Sequence, residues 1–138
     1  MDACNPGYYH ADDLGIECID LTEQYTFNVG NCLKYMFRLH GKNTVTENLD
    51  KARYYAHRAR LRGERCQPVM PNGTHDAAHM IHTLARHDWQ HAAPFWTAVL
   101  ACHMGEADTA AVAATLDELH DTLRNRNRPS KNCVSSYE

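Results

Sequence analysis

The apolar residues of this chain recur at helical spacing, and this periodicity constrains the fold more than any other feature. Between residues 28 and 40 they lie on one side of a helix drawn at about 100° per residue. A second regular stripe follows residues 112–123. The residues of the two stripes are Val29, Cys32, Leu33, Met36, Phe37, Leu39, and Val112, Leu116, Leu119, Leu123. No stretch shows sustained two-residue alternation, so the sequence predicts an all-α fold, a small bundle of about five to six helices.

Capping and turn residues predict where the helices of the first half begin and end. A short helix is expected over 16–25 after an irregular arm. Asn28 is expected to cap a second helix, which Gly41 ends just after residue 40. The third helix is expected to begin near Thr46 and to end at Gly63. Its predicted apolar stripe is Leu49, Ala52, Tyr55, Ala56 and Ala59.

Residues 64–73 hold two prolines and a glycine, and we predict a linker over 63–73. Beyond it, Thr74 is expected to cap a helix that ends at His87, and Pro94 suits the first turn of the next. A last helix is expected over 108–126. The predicted organisation is a helical domain over 1–62, the linker, a helical segment over 74–128 that packs on that domain, and a loose tail over 129–138.

Composition narrows the classes of function. A net charge of −3 gives the whole chain no strong attraction for nucleic acid, although local basic runs must be judged separately. No apolar run approaches the roughly 20 residues that cross a bilayer. We therefore expect no membrane partner and a place in the cytoplasm.

The six cysteines are widely spaced and include no CxxC pair, which argues against a zinc ribbon. No basic and apolar leader typical of a signal peptide opens the sequence. The expectation is therefore six reduced cytosolic thiols, mostly small core residues. The cysteines are Cys4, Cys18, Cys32, Cys66, Cys102 and Cys133.

The first polar constellation lies on the second helix, opposite its apolar stripe. Asn31, Lys34 and Arg38 are spaced i, i+3, i+7 and so form one line. An ammonium beside a guanidinium suits phosphate oxygens. Free backbone N–H groups near Gly30, in the first turn, could add an anion site, and Lys42 follows just past the helix. The alternative is a solvated basic face.

The second constellation is acidic. Glu17 and Asp20 lie one helical turn apart, followed by Gln24 on the same line. Two carboxylates at this spacing can hold a magnesium ion or accept a proton. They can equally pair with Lys34 and Arg38 across a contact between helices, which would be a structural role.

Two further groups carry a weaker signal. On the third helix, Asp50 with Lys51 could orient a ligand, and Tyr54 and His57 share the face of Asp50. The alternative for Asp50 is a favourable interaction with the helix dipole, since it lies in the first turn of the predicted helix. The second half is rich in histidine, but it lacks HExxH and fits no zinc pattern, so no metal site is predicted there. These histidines are His75, His79, His82, His87 and His91.

Three ordered blocks resemble a small phage family, known mainly as a domain of unknown function. They are Gly15-Ile16-Glu17-Cys18-Ile19-Asp20, then Gly30-Asn31-Cys32-Leu33-Lys34-Tyr35 with Arg38, then Leu49-Asp50-Lys51-Ala52 with Tyr55. The resemblance covers residues 8–58, and the turn after the second helix departs from the pattern around Lys42. One relative in that family is a nucleotide kinase that phosphorylates deoxynucleoside monophosphates without a P-loop and without a metal.

The resemblance implies catalytic roles for Glu17, Asp20, Lys34 and Arg38, and ligand binding by Asn31, Lys42, Asp50 and Lys51. The expected function is phosphoryl transfer to a (deoxy)nucleoside monophosphate from a nucleoside triphosphate, with or without magnesium. Two alternatives stay open, which are a metal-dependent nucleotide pyrophosphohydrolase and a non-enzymatic module that sequesters a nucleotide or a host protein.

The oligomeric state is approached through the last helix. Small residues there suit helix pairing between copies, so a homo-oligomer is expected. The small residues are Ala110, Ala111, Ala113 and Ala114.

Overall fold

In the computed structural model, which describes residues 10–41 and 43–126, the chain forms six α-helices and no strand within those ranges. This confirms the predicted all-α bundle. Two short 3₁₀ helices, Ala11–Leu14 and Gln90–Ala92, precede α1 and α5. The α-helices are α1 (Cys18–Thr22), α2 (Phe27–Phe37), α3 (Val45–Leu61), α4 (Ala77–His87), α5 (Ala93–His103) and α6 (Thr109–Arg126).

One hydrophobic core joins the two halves of the chain. α3 packs between α2 and α6, and α5 lies against both α4 and α6. Every residue of the predicted α2 stripe is buried, and α5 contributes the fully buried Trp96. On α3 the alanines and Leu49 are buried while Tyr55 is half-buried. None of the helices in the described ranges combines the length and apolarity needed to span a bilayer.

Helix α2 begins at a cap that comes from outside the helix. Thr26 occupies the N-cap position but makes no side-chain capping bond. The Glu64 carboxylate fills that role, because Oε1 accepts from the backbone N–H of Asn28 at 3.2 Å and of Val29 at 3.4 Å. It also accepts from the Thr26 hydroxyl at 2.6 Å and from the Asn28 side-chain amide. The prediction that Asn28 caps α2 is therefore wrong, since Asn28 lies within the first turn.

The far end of α2 is also satisfied by a side chain of another element. Asn48 of α3 is 2% exposed, and its amide donates to the carbonyls of Arg38 at 3.0 Å and Leu39 at 3.2 Å. Arg38 is the C-cap of α2 and Leu39 follows it, so neither carbonyl has an intrahelical donor. The Arg38 carbonyl also accepts from Gly41 N–H at 2.8 Å. The helix ends at Phe37 rather than near residue 40. The Asn48 amide binds the carbonyls that a longer helix would use, and so stabilises the turn toward α3.

Two other helices begin close to their predicted starts but with different caps. Thr44, not Thr46, caps α3 through a capping box with Glu47. Asp76, not Thr74, caps α4, and its Oδ1 accepts from Ala78 N–H at 2.9 Å. In both cases a better placed oxygen acceptor lies two residues from the predicted one.

Gln24, just after α1, binds residues 69–75 through both its backbone and its side chain. This residue is 1% exposed although it is polar. Its backbone carbonyl accepts from Val69 N–H at 2.7 Å and Met70 N–H at 3.0 Å. Its side-chain oxygen accepts from Asn72 N–H at 3.2 Å, while its amide donates to the His75 carbonyl at 2.8 Å. The buried amide therefore ties the segment between the two halves to the first half.

A disulfide joins Cys66, in the same segment, to Cys102 near the end of α5, with 5.7 Å between the Cα atoms. The expectation of six reduced thiols is therefore wrong. Sequence spacing could not show that residues 36 positions apart meet. Cys32 remains a buried thiol, and burial raises its pKa above the ordinary range. Cys4 and Cys133 lie outside the described residues.

Replacing Glu64 should destabilise the bundle through the start of α2. The Glu64→Ala variant loses an acceptor for two helix N–H groups and the partner of a buried amide, which should cost about 1–2 kcal/mol. Urea unfolding monitored by circular dichroism measures this loss. Glu106→Gln changes an exposed carboxylate in a turn and should leave the midpoint unchanged. Equal midpoints for Glu64→Ala and the parent would show that the cap does not stabilise α2.

Reducing the disulfide should lower the melting temperature. The disulfide closes a loop over a separation of 36 residues. By lowering the entropy of the unfolded chain it should raise the free energy of unfolding by about 3–4 kcal/mol. Melting curves with and without a phosphine reductant check this, and the double variant Cys66→Ala, Cys102→Ala should be insensitive to the reductant. Six titratable thiols in the unfolded, unreduced protein would contradict the disulfide.

Candidate functional site

The outer sides of α2 and α3 form a surface that we call the aromatic–lysine face. It consists of Phe27, Lys34 and Tyr35 of α2 and Lys51, Tyr54 and Tyr55 of α3. Burial of the apolar stripe of α2 turns its opposite side outward. Phe27 is 72% and Tyr54 is 59% exposed, an unusual position for large rings.

The rings of this face contact one another around Tyr55. The Tyr35 ring lies parallel to that of Tyr55, with 6.0 Å between centroids and 4° between planes. Tyr54 and Phe27 meet Tyr55 edge-on, at 5.1 Å and 6.1 Å. Aromatic pairs at these separations attract one another, so the cluster is ordered while much of its surface stays open to a ligand.

Two ammonium groups from different helices flank the same ring. Lys34 Nζ lies 4.7 Å and Lys51 Nζ lies 5.4 Å from the Tyr35 centroid, within the range of a cation–π interaction. Neither lysine forms an ion pair with a carboxylate in residues 10–41 or 43–126. Their charge is therefore available to an anionic ligand beside the rings.

The remaining predicted residues of the basic side occupy distinct places. Asn31 is half-exposed, and its amide donates to the Phe27 carbonyl at 2.8 Å. Arg38 is exposed at the C-cap of α2. Asp50 is exposed and lies 3.7 Å from Arg53 of its own helix. Lys42 lies outside the described residues.

The expected anion site at the start of α2 is already occupied by the chain itself. The N–H groups of Asn28 and Val29 donate to Glu64, and that of Gly30 donates to the Thr26 carbonyl at 2.7 Å. Gly30 is needed for packing, since a Cβ there would lie 2.8 Å from the Thr22 carbonyl oxygen. The pKa of Glu64, raised by burial but lowered more by its hydrogen bonds, lies below its ordinary value, so an internal anion takes this end of the helix.

Glu17 and Asp20 line a different surface, a groove of about 350 Å³ between α1 and the start of α4. Asp20 lies 3.5 Å from the His75 imidazole. No ion pair joins either carboxylate to Lys34 or Arg38 in the part of the chain that the structure describes, so the structural pairing proposed from the sequence does not form. Residues 10–41 and 43–126 contain no group of three or more His, Cys, Asp or Glu placed to hold a metal ion.

Asp117 of α6 forms a polar contact that the sequence analysis did not predict. Its carboxylate accepts from Arg53 Nε at 3.0 Å and lies 2.9 Å from His57 Nε2. Arg53 and His57 are one turn apart on α3. This spacing is the sequence signal that could have suggested a shared acidic partner. The contact links α3 to α6, so His57 stabilises the bundle rather than joining the aromatic–lysine face.

The first part of the chain matches a known family model. Residues 4–57 match the model of a family described as protein of unknown function (DUF3310). No curated protein and no solved structure matches the chain. The matched range ends within α3, so it contains all six residues of the aromatic–lysine face together with Glu17 and Asp20.

The contact of Asp117 should make stability depend on pH. Burial raises the pKa of this carboxyl, but hydrogen bonds from His57 and Arg53 lower it further, to below the ordinary value. Its contribution is therefore complete above the unfolded pKa of about 4 and is lost as the pH falls through the depressed folded value.

Asp117→Asn should cost about 1 kcal/mol at neutral pH, because the carboxylate is partly exposed and screened. The difference from the parent should shrink below pH 4. Urea unfolding at several pH values measures it, with Glu118→Gln on the same helix as the control. A difference that is the same at pH 7 and at pH 3 would show that the charge of Asp117 contributes nothing.

Proposed function

We propose that the protein binds a nucleotide on the aromatic–lysine face and transfers a phosphoryl group to a (deoxy)nucleoside monophosphate without a P-loop. The observation that carries the proposal is the approach of Lys34 and Lys51, from two helices, to the ring of Tyr35. A nucleotide combines an aromatic base with an anionic phosphate, and this face offers open rings beside unpaired ammonium groups.

The chemistry of phosphoryl transfer suits such a site. The reaction needs positioning and positive charge more than covalent help from the protein. Lys34 and Lys51 would bind the phosphate oxygens as point charges, while the exposed rings of Phe27 and Tyr54 would stack on the base. Arg38 would extend the phosphate contacts along α2. A nucleoside triphosphate would supply the phosphoryl group.

Glu17 and Asp20 have a separate part in this proposal. Their groove next to His75 is a different surface from the aromatic–lysine face, where the nucleotide would bind. The catalytic part that the resemblance implies for them, to orient an acceptor or accept its proton, would therefore need an acceptor that reaches from one surface to the other. The resemblance of the first half to a phage family supports an origin in a phage. Since nucleoside triphosphates are cytoplasmic, the reaction would take place in the host cytoplasm, with the disulfide shielded by burial.

A non-enzymatic module that sequesters a nucleotide is the second candidate, because the aromatic–lysine face favours binding whether or not a reaction follows. Measurement of turnover separates the two. A helix-paired homo-oligomer also remains a proposal, in which the exposed Ala110 and Ala114 of α6 would meet a second copy, while Ala113 is buried in the core.

Removing either lysine should weaken nucleotide binding without unfolding the protein. A charge-assisted contact contributes roughly 1.5–3 kcal/mol, so Lys34→Ala and Lys51→Ala should each raise the Kd of a nucleoside monophosphate about ten- to a hundred-fold. Arg38→Ala should have a smaller effect in the same direction. Isothermal titration with a panel of nucleoside mono- and triphosphates, with and without magnesium, measures this.

The matched control is Arg60→Ala, which removes an exposed cation from the side of α3 turned away from Lys51. It should bind as the parent does. Conversion of a monophosphate to a diphosphate, followed by chromatography, then distinguishes a kinase from a module that only binds. Parental affinity in both lysine variants would place the nucleotide site elsewhere and overturn the proposal.

A further inference from the structure

The aromatic–lysine face continues along α3 as a strip of exposed cations. Arg58 and Arg62 follow Lys51 at i+7 and i+11, so all three lie on one side of the helix, with Tyr54 between them. Both arginines are exposed. At 1.5 Å per residue the strip from Lys51 to Arg62 is about 16 Å long, and Arg58 lies about 10 Å from Lys51 along the axis.

The cations of this strip form no ion pair with a carboxylate in the part of the chain that the structure describes. Residues 51–62 contain no Asp or Glu, and neither Arg58 nor Arg62 is in an ion pair within the described ranges. Arg53, by contrast, points toward α6 and pairs with Asp117. The carboxylate of Glu47, near the start of α3, is hydrogen-bonded to Thr44, and these bonds, together with the nearby charge of Lys51, lower its pKa. The strip is therefore a local basic surface on a chain whose net charge is −3.

We infer that this strip, together with the aromatic–lysine face, binds single-stranded nucleic acid. Phe27 and Tyr54 would stack on successive bases, and the row of cations would follow the phosphates, which is how proteins bind single strands without reading their sequence. This goes beyond the proposed function, because a mononucleotide beside Tyr35 would not extend along the strip to Arg62.

The open rings favour a single strand over a duplex. In a duplex the bases are paired and stacked, so exposed side-chain rings on a convex helix would meet only the sugar–phosphate backbone. Unstacked bases can lie on Phe27 and Tyr54 and cover apolar surface that is 72% and 59% exposed without a ligand. A surface that binds a duplex only through its phosphates would need the arginines but not the exposed rings.

Fluorescence anisotropy with labelled twelve-nucleotide strands of dT and of rU tests the inference on the full chain. Both strands should bind at least ten-fold more tightly than thymidine monophosphate, which is measured separately by titration, and more tightly than a twelve-base-pair duplex. Affinity for the strand should fall as salt is raised, with a slope near −0.7 for each phosphate contacted. Binding to the strand that is no tighter than to the monophosphate, or equal binding to the duplex, would overturn the inference.

Variants separate this inference from the proposed function. Arg58→Ala with Arg62→Ala should weaken strand binding about ten-fold or more and leave the Kd of thymidine monophosphate unchanged, whereas Lys34→Ala should weaken both. Tyr54→Ala should also weaken strand binding, and Arg60→Ala should change neither. A loss from Arg60→Ala equal to that from the double variant would show non-specific attraction and overturn the strip.

The two proposals can also fail independently. If the strand binds tightly while no mononucleotide binds and no turnover occurs, the proposed kinase function is rejected and the inferred binding of single strands is supported. Binding of the mononucleotide alone would do the reverse. Circular dichroism of each variant verifies that these exposed substitutions leave the fold intact.

Discussion

The position of α2 along α3 depends on two side chains that lie outside α2 and satisfy its ends. The Glu64 carboxylate accepts from the first-turn N–H groups, and the buried Asn48 amide donates to the carbonyls of Arg38, at the C-cap, and Leu39, just past it. Because these partners bracket α3, they hold the two helices antiparallel in one register. In that register the Tyr35 ring lies parallel to that of Tyr55, and lysine ammonium groups from both helices lie over it.

The packing between these helices uses small residues on one side and larger ones on the other. Ala56 and Ala59 of α3 face Val29 and Leu33 of α2 around a void of only about 10 Å³. Methyl side chains let the helix axes approach, so the aromatic residues just outside the core come into contact across the seam. The α6 helix supports α3 from behind through Asp117, which leaves the outer side of α3 open.

The second half of the chain has a supporting role for this surface. The matched family range, residues 4–57, contains the face and the acidic groove residues Glu17 and Asp20. It does not contain Glu64, Cys66 or Asp117, which hold the framework of that half in place. Residues beyond the match therefore stabilise a surface that the matched residues form.

Helical periodicity by itself determined the fold class and the core. Val29, Leu33 and Leu116 could be assigned to the interior because burial follows directly from spacing along one helix. The same spacing placed Lys34 on the outer side of α2. Spacing along one helix could not predict the caps and cross-links. Several residues near each helix start offer equivalent oxygen acceptors, and the Glu64 carboxylate accepts from a donor 36 positions away. The meeting of Cys66 with Cys102 and of Lys51 with Tyr35 was decided only by tertiary structure, since packing between helices sets distances that no single helix contains.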